Sequence, residues 1–229
     1  MIEVSQLTKW YLMTRALRGI TLNLATGRVI GVLGENGSGK STLFKILAGV
    51  TRPTAGQVRL LGEDVGRRTR AFTAYMPEVN PFYSWMRVGE QLDFLAELYP
   101  GWDRHKQDEL MTLMGLIAGA RVGELSRGQQ ARLKVVAAFS WPSRVVIMDE
   151  PFSSIDPPSR TRIVRALFDQ YRAGEQTVLV CTHLVEEIES VVEEVIYLRR
   201  GEVALQGHAD QLRQERGKSL GELFEEVAL

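Results

Sequence analysis

One cysteine, Cys181, stands in 229 residues, which leaves no internal disulfide, and its place at the end of the apolar run 178–181 reads as a buried strand. A reducing compartment fits such a chain. An excess of either charge is also missing: 28 Lys+Arg meet 28 Asp+Glu, for a formal net charge of zero. That balance removes the overall basic surplus of a nucleic-acid binder, and no nucleic-acid partner is expected. No uncharged apolar run approaches the ~20 residues of a membrane-spanning helix. The opening MIEVSQLTKW has no basic stretch leading into an apolar one, so no signal peptide is expected. Repeats, low-complexity tracts and long linkers are absent too. What is present, 45% apolar and 24% charged residues, is the composition of an ordinary globular chain with a core, and it excludes a disordered or collagen-like one. The length suits one large domain, or one core with an inserted lobe.

Near-continuous apolar runs at 29–33, 145–148 and 178–181 predict strands of a parallel sheet covered on both faces. Helical patterns alternate with them, the signature of an α/β fold. Residues 2–24 and 57–61 read instead as shorter strands with polar alternation, a small N-terminal antiparallel β subdomain. Between 80 and 124 the strand signal disappears. Val88, Leu92, Leu95 and Tyr99, then Leu110, Leu113, Met114 and Ile117, recur at helical spacing. One domain is expected, with an α/β core of residues 1–79 and 125–229 and an inserted α-helical lobe over 80–124. The last twenty residues read as helix.

After the run ending at Leu33 comes GENGSGKST, which is Gly34, Glu35, Asn36, Gly37, Ser38, Gly39, Lys40, Ser41 and Thr42, followed by the helical pattern Leu43, Ile46, Leu47. This is G-x-x-x-x-G-K-[ST] with a strand before it and a helix after. The glycines let consecutive backbone N–H groups turn inward on a phosphate, and the helix N-terminus adds to the attraction. Lys40 would reach the β- and γ-phosphates and Ser41 would ligate Mg²⁺. The loop alone does not separate a nucleotide kinase, a GTPase, a helicase motor and a transport ATPase.

Further along, VVIMDE sets Asp149 and Glu150 directly after four apolar residues. In an open α/β sheet ligands sit beyond the carboxyl ends of the strands, where the phosphate loop also lies. Asp149 can hold Mg²⁺ through water, and Glu150 can orient or deprotonate a water in line with the γ-phosphate. The second carboxylate favours hydrolysis over transfer to a substrate hydroxyl. The plain alternative is that acidic residues after a strand cap the next helix.

LSRGQQ, residues 125–130, precedes the apolar stretch 133–139, and Ser126 and Gln129 have the S-x-x-Q spacing of a capping box. The segment is also similar to the signature LSGGQ of ATP-binding cassette (ABC) transporter ATPases, P-loop NTPases that the chain resembles over essentially its whole length. Tyr11 matches the aromatic loop that stacks on adenine in that family, with Trp10 competing for the place. SSID, ending in Asp156, resembles the D-loop, and His183 in CTHL matches the switch histidine.

The resemblance implies two nucleotide-binding subunits, alike or different, joined head to tail. Each ATP would lie between one subunit's phosphate loop and the partner's signature, where Ser126 and Gly128 contact the γ-phosphate. It further implies that Glu150, His183 and Lys40 act in hydrolysis, that Asp156 crosses the interface, and that Ser41, Glu78 and Asp149 face the metal. Two departures stand out. Glu78 in YMPE occupies the place where the family usually has Gln, and Arg127 replaces the first glycine of the signature. The resemblance also implies that residues 78–86, with Phe82, Tyr83, Trp85 and Met86, border the groove that in the family accepts a coupling helix from the membrane subunit. The implied protein is an ATPase subunit peripheral to the cytoplasmic face of the membrane, working through separate membrane subunits and resembling exporters more than importers. The alternative is a soluble ABC-type ATPase not coupled to transport. His105 and His208 receive no function.

Overall fold

A computed structural model describes residues 1–153, 155–171 and 173–228. Strands β1 (Ile2–Tyr11) and β2 (Thr14–Leu24) form a hairpin, and β3 (Val29–Leu33) leads into α1 (Lys40–Leu47). After β4 (Ala55–Leu60), β5 (Glu63–Asp64) and the short α2 (Arg67–Arg70), the chain enters β6 (Thr73–Met76). Three helices follow: α3 (Val88–Leu98), α4 (Arg104–Met114) and, after a 3-10 turn at Val122–Glu124, α5 (Arg127–Phe139). The remainder is β7 (Val145–Asp149), α6 (Pro157–Gln170), β8 (Thr177–Thr182), a 3-10 turn at Val185–Glu187, β9 (Glu194–Arg199), β10 (Glu202–His208), α7 (Ala209–Arg216) and α8 (Leu220–Ala228).

The strands form two sheets. An antiparallel one runs β2-β1-β4-β5, and a six-stranded one runs β10-β9-β3-β8-β7-β6, parallel apart from the β9–β10 hairpin. VIGVL, VVIMD and TVLVCT are buried along their whole lengths, as strands covered on both faces must be. Successive side chains of a strand point to opposite faces, so these runs divide between two cores. Ile30, Val32, Ile147 and Leu179 join Leu43 and Phe44 of α1 and the antiparallel sheet. Val29, Val146, Met148 and Val180 join Leu133 and Phe139 of α5 and Ile163 of α6. Each large side chain so buried contributes about 1.5–3 kcal/mol.

Segment 80–124 carries α3, α4 and a 3-10 turn, and among its described residues the only β pairing is the isolated bridge Arg87–Arg121. Asp103 caps α4 by accepting from the Lys106 N–H, and Gly115, at φ 59°, ends it. That stop corrects one expectation. Ile117 keeps the helical spacing of Leu110 and Met114 but lies beyond the helix and is exposed, while Leu116 is buried. A left-handed C-cap resets the phase that the spacing assumed. The capping box predicted at Ser126 is present: Ser126 Oγ accepts from Gln129 N at 3.2 Å and Gln129 Oε1 accepts from Ser126 N at 2.9 Å.

Four neighbouring parallel strands thus end on one sheet edge. β3 delivers residues 34–42, β8 delivers His183, β7 delivers Asp149 and Glu150, and β6 delivers Glu78.

Candidate active site

Gly39 is the N-cap of α1 at φ 107°, and a Cβ there would stand 2.7 Å from the Ala16 carbonyl, so the turn into the helix requires glycine. α1 starts on Lys40, Ser41 and Thr42, whose N–H groups have no partner within the helix and favour an anion. Lys40 is buried. Its Nζ donates to Gly34 O at 2.7 Å and Glu35 O at 3.1 Å and stands 3.8 Å from Glu150 Oε1.

Asp149 is buried and accepts three hydrogen bonds: from Ser41 Oγ at 2.9 Å, from the Cys181 thiol at 2.9 Å and from the Tyr75 hydroxyl at 3.2 Å. Burial, then the charge of Asp149, pushes the Cys181 thiol well above its usual range, and the same two causes raise the Tyr75 phenol. Both therefore stay protonated donors at neutral pH and hold the carboxylate against Ser41. The adjoining hydroxyl and carboxylate oxygens are a hard donor pair suited to Mg²⁺. Among the described residues no cluster of three His, Cys, Asp or Glu could hold a metal by itself. A small set of protein oxygens completed by phosphate oxygens and water is how Mg²⁺ is commonly bound.

Glu150 adopts φ 48°, unusual for a residue with a side chain, and its N–H donates to Cys181 O. The left-handed turn costs roughly 1–2 kcal/mol. It breaks the alternation of β7, and the carboxylate lies between two partners: Lys40 at Oε1 and His183 Nδ1 at 3.0 Å from Oε2. A carboxylate at Nδ1 selects the tautomer protonated there. The His183 side chain is itself 43% exposed.

A cleft of about 920 Å³ opens here, walled by Arg15, Asn36, Lys40, Ser41, Glu78 and His183, among others. Thr14 and Ala16 also line it, whereas Tyr11 does not. Tyr11 is exposed at the hairpin end with Lys9 Nζ 4.9 Å from its ring centre, and Arg15 lies 5.8 Å from the Trp10 ring. Ser126, Gly128 and Asp156 are also outside this cleft. Gly128 is buried against α6, where a Cβ would come within 2.5 Å of Asp156 Oδ1 and 2.6 Å of Ser159 Oγ. Asp156 accepts from the Ser159 hydroxyl at 2.7 Å and the Ser159 N–H at 2.9 Å, which hold its carboxyl below the usual range. Ser154 of the 153–156 segment lies outside the described residues.

A second cleft of about 860 Å³ shares Glu78, Glu150 and Ser153 with the first and adds Arg127, Gln130 and Lys134. On the other side of Lys134 an apolar groove of about 750 Å³ is lined by Tyr75, Phe82, Tyr83, Phe94, Tyr99 and Trp141, among others. Within the aromatic cluster, Phe82 packs on the core, while Tyr83 and Trp85 are exposed and lie 5.6 Å apart. The sequence reading missed Lys134, Tyr75 and Arg15. For Lys134 a signal existed, as the one charged residue in the run 133–139.

The family model described as ABC transporter matches residues 17–153. An uncharacterized ABC transporter ATP-binding protein of Bacillus subtilis, YxlF, is 30% identical over 221 residues, covering 94% of this chain and 74% of that protein. The solved structure of an ATP-binding subunit of an ABC transporter superposes with a TM-score of 0.88 at 26% identity, over 100% of both chains. A dimeric ATP-binding cassette in a post-hydrolysis state with ADP and Pi shares the fold at a TM-score of 0.82 and 24% identity, over 91% of this chain and 98% of that one. With the phosphate loop, the paired carboxylates and the histidine on one sheet edge, the chain belongs to the ABC transporter family, as one of its ATP-binding cassettes, which are ATPases.

Proposed function

We propose that the chain is a single nucleotide-binding domain that hydrolyses Mg-ATP in the 920 Å³ cleft, paired head to tail with a second nucleotide-binding subunit, and that this cycle drives transport through separate membrane subunits. The observation that carries it is Glu150, turned out of β7 and held between Lys40 and His183 at the cleft. Residues 34–42 would cradle the phosphates, with Lys40 leaving the Gly34 and Glu35 carbonyls for the β- and γ-phosphates. Ser41, Asp149 and Glu78 would hold Mg²⁺, which when bound neutralises charge on the phosphates. Glu150 would take a proton from the attacking water as it bonds to the γ-phosphorus and the bond to the ADP oxygen breaks. His183 would keep that carboxylate aimed and face the γ-phosphate.

Ser126 and Gly128 lie outside their own chain's cleft, which supports their service to the partner's ATP. Asp156 would meet the partner at the same seam, and Tyr11 would close on adenine from the hairpin end. The lobe of residues 80–124 and the apolar groove beside residues 78–86 offer exposed aromatic surface to a helix of the membrane subunit. On this reading the protein is peripheral to the cytoplasmic face, and export is favoured over import by analogy with compact cassettes. No helix among the described residues is long and apolar enough to cross a membrane.

The test is Glu150→Gln. It should bind ATP, accumulate as an ATP-bound dimer on size exclusion, and hydrolyse about 10²–10⁴-fold more slowly, the usual contribution of a general base. Normal turnover would remove Glu150 from the chemistry. Co-purification with an integral membrane protein separates transport from the soluble alternative.

A further inference from the structure

Lys134 sits in the apolar run of α5 and is 6% exposed. An ammonium is retained in such a place only where hydrogen bonds replace its water. Its Nζ donates to Pro77 O at 2.7 Å and to Glu78 O at 2.9 Å, so one side chain of α5 holds two consecutive carbonyls of the segment leaving β6. Burial pulls its pKa down to about 8, against the opposing charges of Asp149 and Glu78. The same side chain is a wall of both the apolar groove and the cleft that contains Glu78 and Glu150. α5 begins at Ser126, so the helix that carries Lys134 also carries the signature segment.

We infer that Lys134 is a positioning residue: by fixing the backbone at Glu78 it sets how far that carboxylate reaches into the nucleotide cleft, and it ties this setting to α5 and to the apolar groove. The inference rests on the ATPase reading with Glu78 at the metal. Lys134 lines the groove, so an occupant seated against it would act on the side chain that holds Glu78, and groove occupancy and metal contact would share one lever. A purely structural lysine would satisfy the two carbonyls without acting through Glu78.

A double-mutant cycle on the full chain separates these roles, with Lys134→Met, Lys134→Gln and Glu78→Ala alone and combined. Binding of a fluorescent ATP analogue is titrated in EDTA and at rising Mg²⁺, beside kcat, KM and thermal unfolding. Lys134→Met should raise half-saturating Mg²⁺ about tenfold and lower kcat about tenfold, the low end of the scale for losing an outer-shell metal partner. Its affinity in EDTA and its KM at saturating Mg²⁺ should stay within about twofold of the wild type. On the Glu78→Ala background the same substitution should change each quantity less than about twofold, because its route is gone. Lys134→Gln keeps an N–H donor on a shorter arm; it should shift Mg²⁺ dependence less, in the same direction, and it decides the cycle if the methionine variant does not fold. Effects that multiply with Glu78→Ala, an equal loss of affinity in EDTA, or unchanged Mg²⁺ dependence overturn the inference. A wild-type chain that binds or hydrolyses no ATP overturns the ATPase reading beneath it, a separate result.

Discussion

Glu150 shows how one residue's backbone can set chemistry. Its positive φ breaks the in-and-out alternation of β7, so that Asp149 stays buried against Ser41 while the next carboxylate meets Lys40 and His183. The order Asp-Glu was legible in VVIMDE, but the turn between them was not, because residue type alone does not disclose a strained φ. Gly128 is the opposite case: the signature spacing marked it, and the structure adds a packing reason. In Gly128→Ala the new methyl group would press on Asp156 and Ser159, costing about 1–3 kcal/mol as overpacking does, and a lowered midpoint in denaturant would show it. At Glu78 the expected change concerns the metal. Glu78→Gln should require several-fold more Mg²⁺ for half-maximal ATPase, and identical Mg²⁺ and pH profiles would place Glu78 away from the ion.

At the scale of elements, α6 joins two parts of the site. Asp156 caps its first turn through Ser159, and Arg160, in the next position, donates to Ile155 O at 3.3 Å and to Glu187 Oε1 at 2.9 Å, in the 3-10 turn four residues beyond His183. The pair is about one-third exposed, so screening limits it. Arg160→Ala should cost about 0.5–1 kcal/mol, a fall of roughly 2 °C in Tm, and calorimetry would register it. The cap has its own pH dependence. Asp156 has a depressed pKa when folded, so its contribution is present above the unfolded carboxylate range near pH 4 and is lost as pH falls through the folded value. Ser159→Ala removes the hydroxyl and keeps the N–H, so its acid unfolding should lose the hydroxyl's part of that contribution; an unchanged acid limb would mean that the hydroxyl adds nothing. Helix starts such as Ser126 were readable because a cap is local in sequence, whereas the Arg160–Glu187 bond joins residues 27 apart with no pattern between them.

Taken as a whole molecule, the chain holds the phosphate loop in its own cleft and keeps Ser126 away from it, and this arrangement predicts complementation. A Lys40→Ala subunit and a Ser126→Arg subunit, each inactive alone, should together regain roughly a quarter of wild-type ATPase if they mix at random, since half the dimers are mixed and each has one complete site. No recovery despite proven mixed dimers would count against shared sites. The sequence by itself determined the buried strands β3, β7 and β8, the strands of the N-terminal subdomain, the phosphate loop, the acidic pair and the signature, because each is written in neighbouring residues or in a short period; β6, β9 and β10 of the same sheet were not read from it. Only the tertiary structure decided which partner each side chain meets: Cys181 and Tyr75 on Asp149, Lys40 and His183 on Glu150, Lys134 on the Glu78 carbonyl. Those contacts are set by the order of β3, β8, β7 and β6 along the sheet, which brings distant strand ends together and has no local trace in the chain.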